Sequence, residues 1–338
     1  MDAAESAINP SPLLPEAAKS AGRGILPAGL AALYHKEMAD HVRSKRLIIV
    51  LALVCLTCFA SLYGALSSIR DAVSDETEFI FLSLYTTSGN SIPSFLAFMG
   101  LLGPFVGLTL GFDAINSERS RGTLNRLLAQ PIHRDSVING KFLAGSTVIF
   151  IMVFSMGLLM GAIGYLYIGI PPGGEAFARI IIFLLFTCFY IMFWLALSIL
   201  FSVLCKHAAT SALLTVAAWL FFAIFVGLLA GIIANALYPL DDAHIVENLL
   251  PNYKAGLNLN RVSPYYLYTE STSTILNPNI RSVNVVTYDM LSGAIAGYLS
   301  LGQSLLLVWP HLVALVALTL ICFAVSYVVF MKQEIRGE

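Results

Sequence analysis

Residues Asn116 to Lys141 read NSERSRGTLNRLLAQPIHRDSVINGK, a charged and patterned insert between two apolar runs. Glu118, Arg119 and Arg121 lead to Gly122, whose missing Cβ lets a helix end there, and Thr123 stands where it can cap a new one. The new helix is expected over Thr123 to Gln130. Leu124, Leu127 and Leu128 fall at i, i+3 and i+4 as one apolar stripe, Asn125 and Arg126 point elsewhere, and Pro131 stops the run. Two helical turns do not hold together alone in water, so the stripe requires a docking surface, either the membrane interface or a groove on a partner protein.

The runs on either side of the insert set its surroundings. Of 338 residues, 58% are hydrophobic and 12% charged, with a mean hydropathy of +0.81. A soluble domain of this size is never so apolar, and the apolar material has to face lipid. Six spans are expected: Leu47 to Ile69, Pro93 to Ile115, Phe142 to Ile168, Ile180 to Leu204, Ala208 to Tyr238 and Leu305 to Met331. Each supplies the roughly 20 residues that carry a helix across about 30 Å of hydrocarbon, where the backbone must satisfy its own hydrogen bonds. The expected fold class is therefore an all-α polytopic membrane protein.

Lys and Arg set its orientation. Segments 1–46, 116–141, 205–207 and 332–338 hold 14 of the 19 basic residues. By the positive-inside bias this side, with both termini, is cytoplasmic. The opposite segments carry five basic residues (Arg70, Arg179, Lys254, Arg261, Arg281) against ten acidic ones. Residues 1–26, rich in Ala, Pro and Ser, read as a flexible cytoplasmic tail without the apolar core of a cleavable signal. Residues 27–46 read as an amphipathic elbow helix along the membrane surface: Leu30, Leu33, Tyr34, Met38, His41 and Val42 share a face, and Arg43, Lys45 and Arg46 reach the lipid headgroups. The permease domain then runs over 47–338.

Gly103, Gly107 and Gly111 recur every four residues along the second span, so one face is smooth enough for another helix backbone to approach. Pro104, in the same span, cannot bond to the carbonyl of Gly100 and marks a kink or joint on the path to the charged insert. No Lys, Arg, Asp or Glu falls in the middle of a span, which argues against an ion-coupled carrier or channel. His311, after Trp309 and Pro310, reads as an interfacial residue.

No catalytic or cofactor-binding signature appears. The phosphate loop GxxxxGK[ST] fails at Gly140-Lys141, where Asp135 replaces the first Gly and Phe142 the hydroxyl residue. There is no nucleophile elbow, HExxH helix or metal-ligand spacing, and all five cysteines lie in or at spans. With a net charge of −1 and no basic domain, no nucleic-acid partner is expected.

Residues 239–304 form the largest stretch between spans, with Pro239, Pro251, Pro264 and Pro278 set among Asn, Ser and Thr. Turns and short helices are expected there, forming an extracytoplasmic cap, with Tyr265, Tyr266 and Tyr268 at headgroup level or in a groove for an amphipathic molecule or protein. Residues 283–304 read as an interfacial or re-entrant helix.

The stretch from Glu118 to Lys141 resembles the cytoplasmic signature of ABC transporter permeases of the type-2 exporter class. Glu118, Gly122, Thr123, Leu124, Leu127, Leu128, Pro131, Arg134, Gly140 and Lys141 stand in the order of that signature, while Ser120 and His133 depart from it. The resemblance implies that the short helix is a coupling helix seated in an ATP-hydrolysing partner, with Glu118, Arg121, Gly122, Thr123, Leu124, Leu127, Leu128, Pro131 and Arg134 as coupling residues. It implies two permease halves, as homodimer or heterodimer, with two ATPase subunits that hold ATP and Mg, in a prokaryotic plasma membrane. This chain itself would carry no cofactor and no catalytic site. Family members move lipids, drugs, peptides, polysaccharides or ions outward. Three functions remain open at this point: an exporter permease in contact with membrane lipid, a transmitter that passes ATPase motion to an extracytoplasmic protein, and, disfavoured by the charge-free span centres, an ion channel or secondary transporter.

Overall fold

The computed structural model of the chain describes residues 28–71, 79–88, 92–123, 133–169, 171–241, 245–280 and 298–333. The tail, the Leu124, Leu127, Leu128 and Pro131 set, and all but the last residues of the 283–304 stretch lie outside them. Among the described residues the fold is entirely helical: α1 (Ala28–Arg43), α2 (Lys45–Asp71), α3 (Ile80–Thr86), α4 (Phe95–Gly111), α5 (Asn116–Ser120), α6 (Arg134–Ile168), α7 (Gly174–Leu204), α8 (Ala208–Leu237), α9 (Ile245–Asn260), α10 (Pro264–Leu276) and α11 (Leu301–Lys332). Helices α2, α6, α7, α8 and α11, and the stretch Phe95–Ser120 that joins α4 to α5, are long and apolar enough to cross a membrane.

Three spans begin earlier than the apolar runs indicate. Span four starts at Gly174 rather than Ile180, because Arg179 is not a loop residue. Its side chain is 0% exposed, and its guanidinium donates to the carbonyl oxygens of Ile275 (2.7 Å) and Leu299 (2.6 Å), to Ser304 Oγ (3.2 Å) and to Glu175 Oε1 (2.8 Å). A charge so fully met can continue a helix that the sequence makes it appear to end. Span three starts at Arg134 rather than Phe142, and span six at Leu301, where Ser300 and Gln303 cap each other in a reciprocal box.

Span four is the axis of the bundle and the most enclosed of the six. Span two packs on it through glycines. A Cβ on Gly107 would sit 2.8 Å from the Ile191 carbonyl and the Leu195 amide, one on Gly111 2.8 Å from Ser198 Cβ, and one on Gly103 3.0 Å from Ile191 Cγ1. The two backbones are thus nearly in contact. Beside this seam, the Gly100 carbonyl that Pro104 leaves unbonded accepts from Tyr190 Oη at 2.8 Å. Span five is the opposite case, hardly buried, with Leu213, Phe221, Phe225, Leu228 and Ile232 turned outward. A π-helical turn, Phe221–Phe225, interrupts it midway.

Helices α9 and α10 do not sit on top of the bundle as a cap. They form a hairpin that enters it. From the end of span five, α9 runs back alongside that span. Asn252 Nδ2 donates to Asn235 Oδ1 (2.7 Å) and to the Tyr238 carbonyl (2.8 Å), Gly256 faces Ala234, and Asn260 faces Gly227. At the tip, Ser263 Oγ donates to the Phe222 carbonyl at 2.6 Å, inside the π-helical turn and about 22 Å along the helix from Leu237. Helix α10 then returns against spans two, four and six. Tyr268 is 0% exposed, stacked on Tyr190 at 4.3 Å between ring centroids, with its hydroxyl 3.1 Å from Thr187 Oγ1. Tyr268 is therefore a packing residue, not a surface ring. Tyr265 packs over Gly100, and Tyr266 is half-buried.

The hairpin also brings charge where the spans have none. Glu270 accepts from Arg261 (2.9 Å and 3.0 Å) and lies 2.6 Å from His311 Nε2 on span six. His311 is 5% exposed, so it is a buried partner of a carboxylate rather than an exposed ring. Arg261 and Glu270 neutralise each other, which lets a segment that reads as a loop re-enter the bundle.

Candidate functional site

The outgoing stem of the charged insert is α5 and the residues to Thr123; the returning stem begins at His133. Gly122 ends the outgoing stem with φ of 66°, and open space surrounds its Cα. That left-handed conformation is cheap only for Gly, and the Gly122 amide closes the helix on the Arg119 carbonyl at 3.1 Å. The Thr123 hydroxyl turns back to the outgoing stem, bonding the Glu118 carboxylate and, at 3.2 Å, the Glu118 carbonyl. Arg121 is exposed beside them.

Beneath these residues lies a cluster of four charges, three helices contributing. Lys141 Nζ, at the third turn of α6, is 2.8 Å from Glu37 Oε1 and 3.8 Å from Glu118 Oε1. Lys36 Nζ reaches Glu118 Oε1 at 2.8 Å and Glu37 Oε1 at 3.2 Å. Lys141 and Glu37 are each 6% exposed. Burial by itself would raise the Glu37 carboxyl, but the Lys141 ammonium, joined by Lys36, carries it below the usual carboxylate range. Two carboxylates facing two ammonium groups hold the insert to α1.

Glu37 is the residue that periodicity in α1 conceals. It lies on the buried face with Leu33, whereas Val42, assigned to that face from sequence, is 66% exposed. The helix otherwise docks on α6 through Leu33 Cβ, 3.2 Å from the position of a Gly140 Cβ, and through Tyr34 Oη, which donates to Thr147 Oγ1 at 3.2 Å.

A second tie runs to the end of span six. Gln333 receives Arg119 Nη2 on its Oε1 at 2.5 Å, gives its Nε2 to the Val203 carbonyl at 3.0 Å, and accepts Arg134 Nη2 on its own carbonyl at 2.6 Å. Arg134 also donates to the Phe330 carbonyl at 2.8 Å and lies over the Phe330 ring, 5.2 Å from its centroid. One glutamine thereby joins both stems to spans four and six. Ser202 Oγ of span four accepts the Ile115 amide (3.0 Å) and the Asn116 amide (3.3 Å), and the buried Asn116 side chain faces the Ser202 and Cys205 carbonyls. Arg46, at the start of span one, pairs with Asp113 at 2.6 Å.

Glu118 and Thr123 of the sequence-derived set therefore meet at the charge cluster, with Arg121 and Gly122 at its edge, Arg134 belongs to the second tie at the end of span six, and the apolar stripe lies outside the described residues. Sequence reasoning missed Glu37, Lys141 as its partner, Lys36, Asn116, Ser202 and Gln333. Only Lys141 carried a signal, through its place in the signature; the others are ordinary residues brought together by folding. Among the described residues the site holds no nucleophile and no general acid arranged over a cleft. It is a junction of ion pairs and hydrogen bonds that ties the two stems to α1 and to the ends of spans four and six.

The ABC-2 family transporter protein model matches residues 31–335, and the chain belongs to that family, a multi-pass membrane permease of the ABC type. It is similar to the probable ABC transporter permease protein NosY of Stutzerimonas stutzeri, at 25% identity over 88% of this chain and 96% of that protein. The protein of the same name from Pseudomonas aeruginosa is 28% identical over 64% of this chain and 73% of its own length. Permeases of this type are the non-catalytic membrane subunits of their complexes.

Proposed function

We propose that this permease is one membrane half of an ATP-driven exporter, paired with a second permease half and driven by two separate ATPase subunits that bind ATP and Mg. The observation that carries this reading is the junction itself, in which a short loop between two stems is anchored by Glu37, Lys141, Glu118, Lys36 and Gln333 to most of the bundle. A loop that only capped two helices would have no use for ties to α1 and span six. In this reading Leu124, Leu127 and Leu128 fill an apolar groove of the ATPase, Pro131 ends the helix they lie on, and the insert and both termini face the cytoplasm across a plasma membrane.

The second half would cover the open face of span five, whose outward Leu, Ile and Phe side chains have no partner helix among the described residues. Cargo would pass between the halves along spans two and five, which already meet through Phe105 and Trp219 at 4.8 Å. The buried hairpin favours export over transmission to an outer protein, because Tyr268 and most of α10 are committed to internal packing. Tandem purification from native membranes tests the assignment: an ATPase recovered in one-to-one ratio with the permease supports it, and recovery of the permease with no ATPase under conditions that retain the second half refutes it.

A further inference from the structure

Where α1 leaves α6, a wedge opens toward the outside of the bundle. Its walls are Met38 and Val42 of α1, Ile48 and Leu51 of span one, and Ile151 and Met152 of span three, enclosing about 260 Å³. Val42, Ile48 and Ile151 are among the most exposed large apolar side chains in this part of the molecule. In a chain with six spans such a wedge faces lipid, since water would leave this lining unsatisfied. Met38, Met152 and Met156 contribute flexible thioether side chains that adjust to an irregular apolar guest.

The mouth has a definite charge. Arg43 and Lys45 are exposed on either side of the Ser44 turn, where α1 ends and span one begins. Among the neighbouring charges Arg46 is balanced by Asp113, while Lys36 and Lys141 face Glu37, Asp40 and Glu118, one carboxylate in excess that Arg43 and Lys45 together outnumber. The excess at the mouth is therefore positive. His41 lies in the wall, and burial, outweighing the nearby carboxylates Glu37, Asp113 and Asp40, holds its imidazole below the ordinary value, so it adds little charge at neutral pH.

The geometry points to a binding site for an anionic membrane phospholipid, with one acyl chain in the wedge between α1, span one and span three and the headgroup phosphate between Arg43 and Lys45. An apolar slot that opens at a pair of cations fits a molecule with an anionic head and a hydrocarbon tail. The site touches α1 directly beside the charge cluster. A bound lipid would brace the helix that holds the insert, and binding would favour whichever position of α1 keeps the wedge open.

The test uses the full-length protein in nanodiscs with photoactivatable acyl-chain phosphatidylglycerol or phosphatidylcholine as probe. Crosslinks are expected in the peptides around 38–51 and 148–156, with phosphatidylglycerol preferred. In Arg43→Gln/Lys45→Gln the preference should fall by about five-fold for each side chain removed. Ile151→Trp, which fills the wedge from a lipid-facing position, should abolish crosslinking there and leave it unchanged at the outer face of span five. Equal labelling by both lipids, labelling unaffected by Ile151→Trp, or labelling spread evenly around all spans would each overturn the proposal.

Discussion

Lys141 Nζ lies 2.8 Å from Glu37 Oε1, joining two helices across 104 residues of sequence in a pocket from which water is nearly excluded. An ion pair so placed loses most of the hydration of both charges and gains a Coulomb attraction that is strong only while both partners are present. Its value is positional. It fixes α1 against the root of the insert, so that neither moves without the other.

Removing one partner strands the other. Lys141→Met and Glu37→Gln should each lower stability by about 3 kcal/mol, and Glu37→Met/Lys141→Met should recover a large part of that loss, because a buried apolar pair of similar volume replaces the ions. Thermal denaturation of the detergent-solubilised protein measures all three. Additive losses in the double variant would show that the two side chains do not act as a pair.

The cluster also sets a pH range. The depressed Glu37 carboxyl contributes fully above the ordinary carboxylate value of 4.5 and is lost as pH falls below it. The Lys36 ammonium is half-buried, a cost that its hydrogen bond to Glu118 and the charges of Glu37 and Glu118 together outweigh, so its value is raised; it contributes fully below 10.5 and is lost only as pH rises beyond that. Hydrogen exchange of the Ala28–Arg43 backbone should therefore be flat in protection factor from about pH 7 to pH 9 and weaken below that, first because burial keeps His41 neutral in the folded helix and then as the Glu37 carboxylate is lost. Protection that stays flat down to about pH 4 would show that neither group titrates against the folded helix.

Tyr190→Phe leaves the Gly100 carbonyl without a donor inside the bundle, at an expected cost of about 1–3 kcal/mol. In a Pro104→Ala background the restored backbone amide can bond to that carbonyl, and the same Tyr190→Phe change should cost much less. A double-mutant cycle on thermal stability reads the coupling directly. Equal costs in both backgrounds would remove Tyr190 from its role at the proline.

Glycines on the two sides of the bundle should answer differently. Gly107→Leu forces a side chain into the Ile191 and Leu195 backbone and should destabilise by at least about 2 kcal/mol or prevent insertion, while Gly231→Leu meets open space and should leave the isolated chain's stability nearly unchanged. Expression level and melting temperature of both variants check this.

These contrasts show what the sequence could reveal. The six spans were legible because each is a run of some twenty apolar residues, and the kink-prone Pro104 because its missing amide is a property of one residue. The Gly122 turn was legible for the same reason. The hairpin of α9 and α10 was not, since its Asn, Ser, Thr, Arg and Glu residues look solvated until Asn252 meets Asn235, Arg261 meets Glu270 and Ser263 meets the Phe222 carbonyl. Arg179 was misplaced on the same ground: three of its four acceptors, Ile275, Leu299 and Ser304, lie 96 to 125 residues further along the chain. Glu37, its pairing with Lys141, and Gln333 escaped because Glu37 and Gln333 are ordinary alone, and these contacts exist only as distances across 104 residues or more.

Cysteine labelling separates the hairpin from a surface cap. With an impermeant thiol reagent added outside intact cells carrying the cysteine-depleted protein, Asn279→Cys, which is exposed, should react. Ser271→Cys, enclosed against the bundle, should stay protected until denaturation. Arg121→Cys should react only after the membrane is opened. Prompt labelling of Ser271→Cys would mean that α10 does not enter the bundle, and labelling of Arg121→Cys in intact cells would reverse the orientation.

The coupling role of the insert is tested most directly by Leu124→Asp/Leu128→Asp, measured as the amount of ATPase that co-purifies per permease at matched membrane level. Two charges forced into an apolar groove should detach the ATPase, with a loss of at least about a hundred-fold in retained partner, while the spans stay inserted and the junction at Glu37 and Lys141 stays folded. Full retention of the ATPase together with undiminished ATP-driven transport would contradict the account.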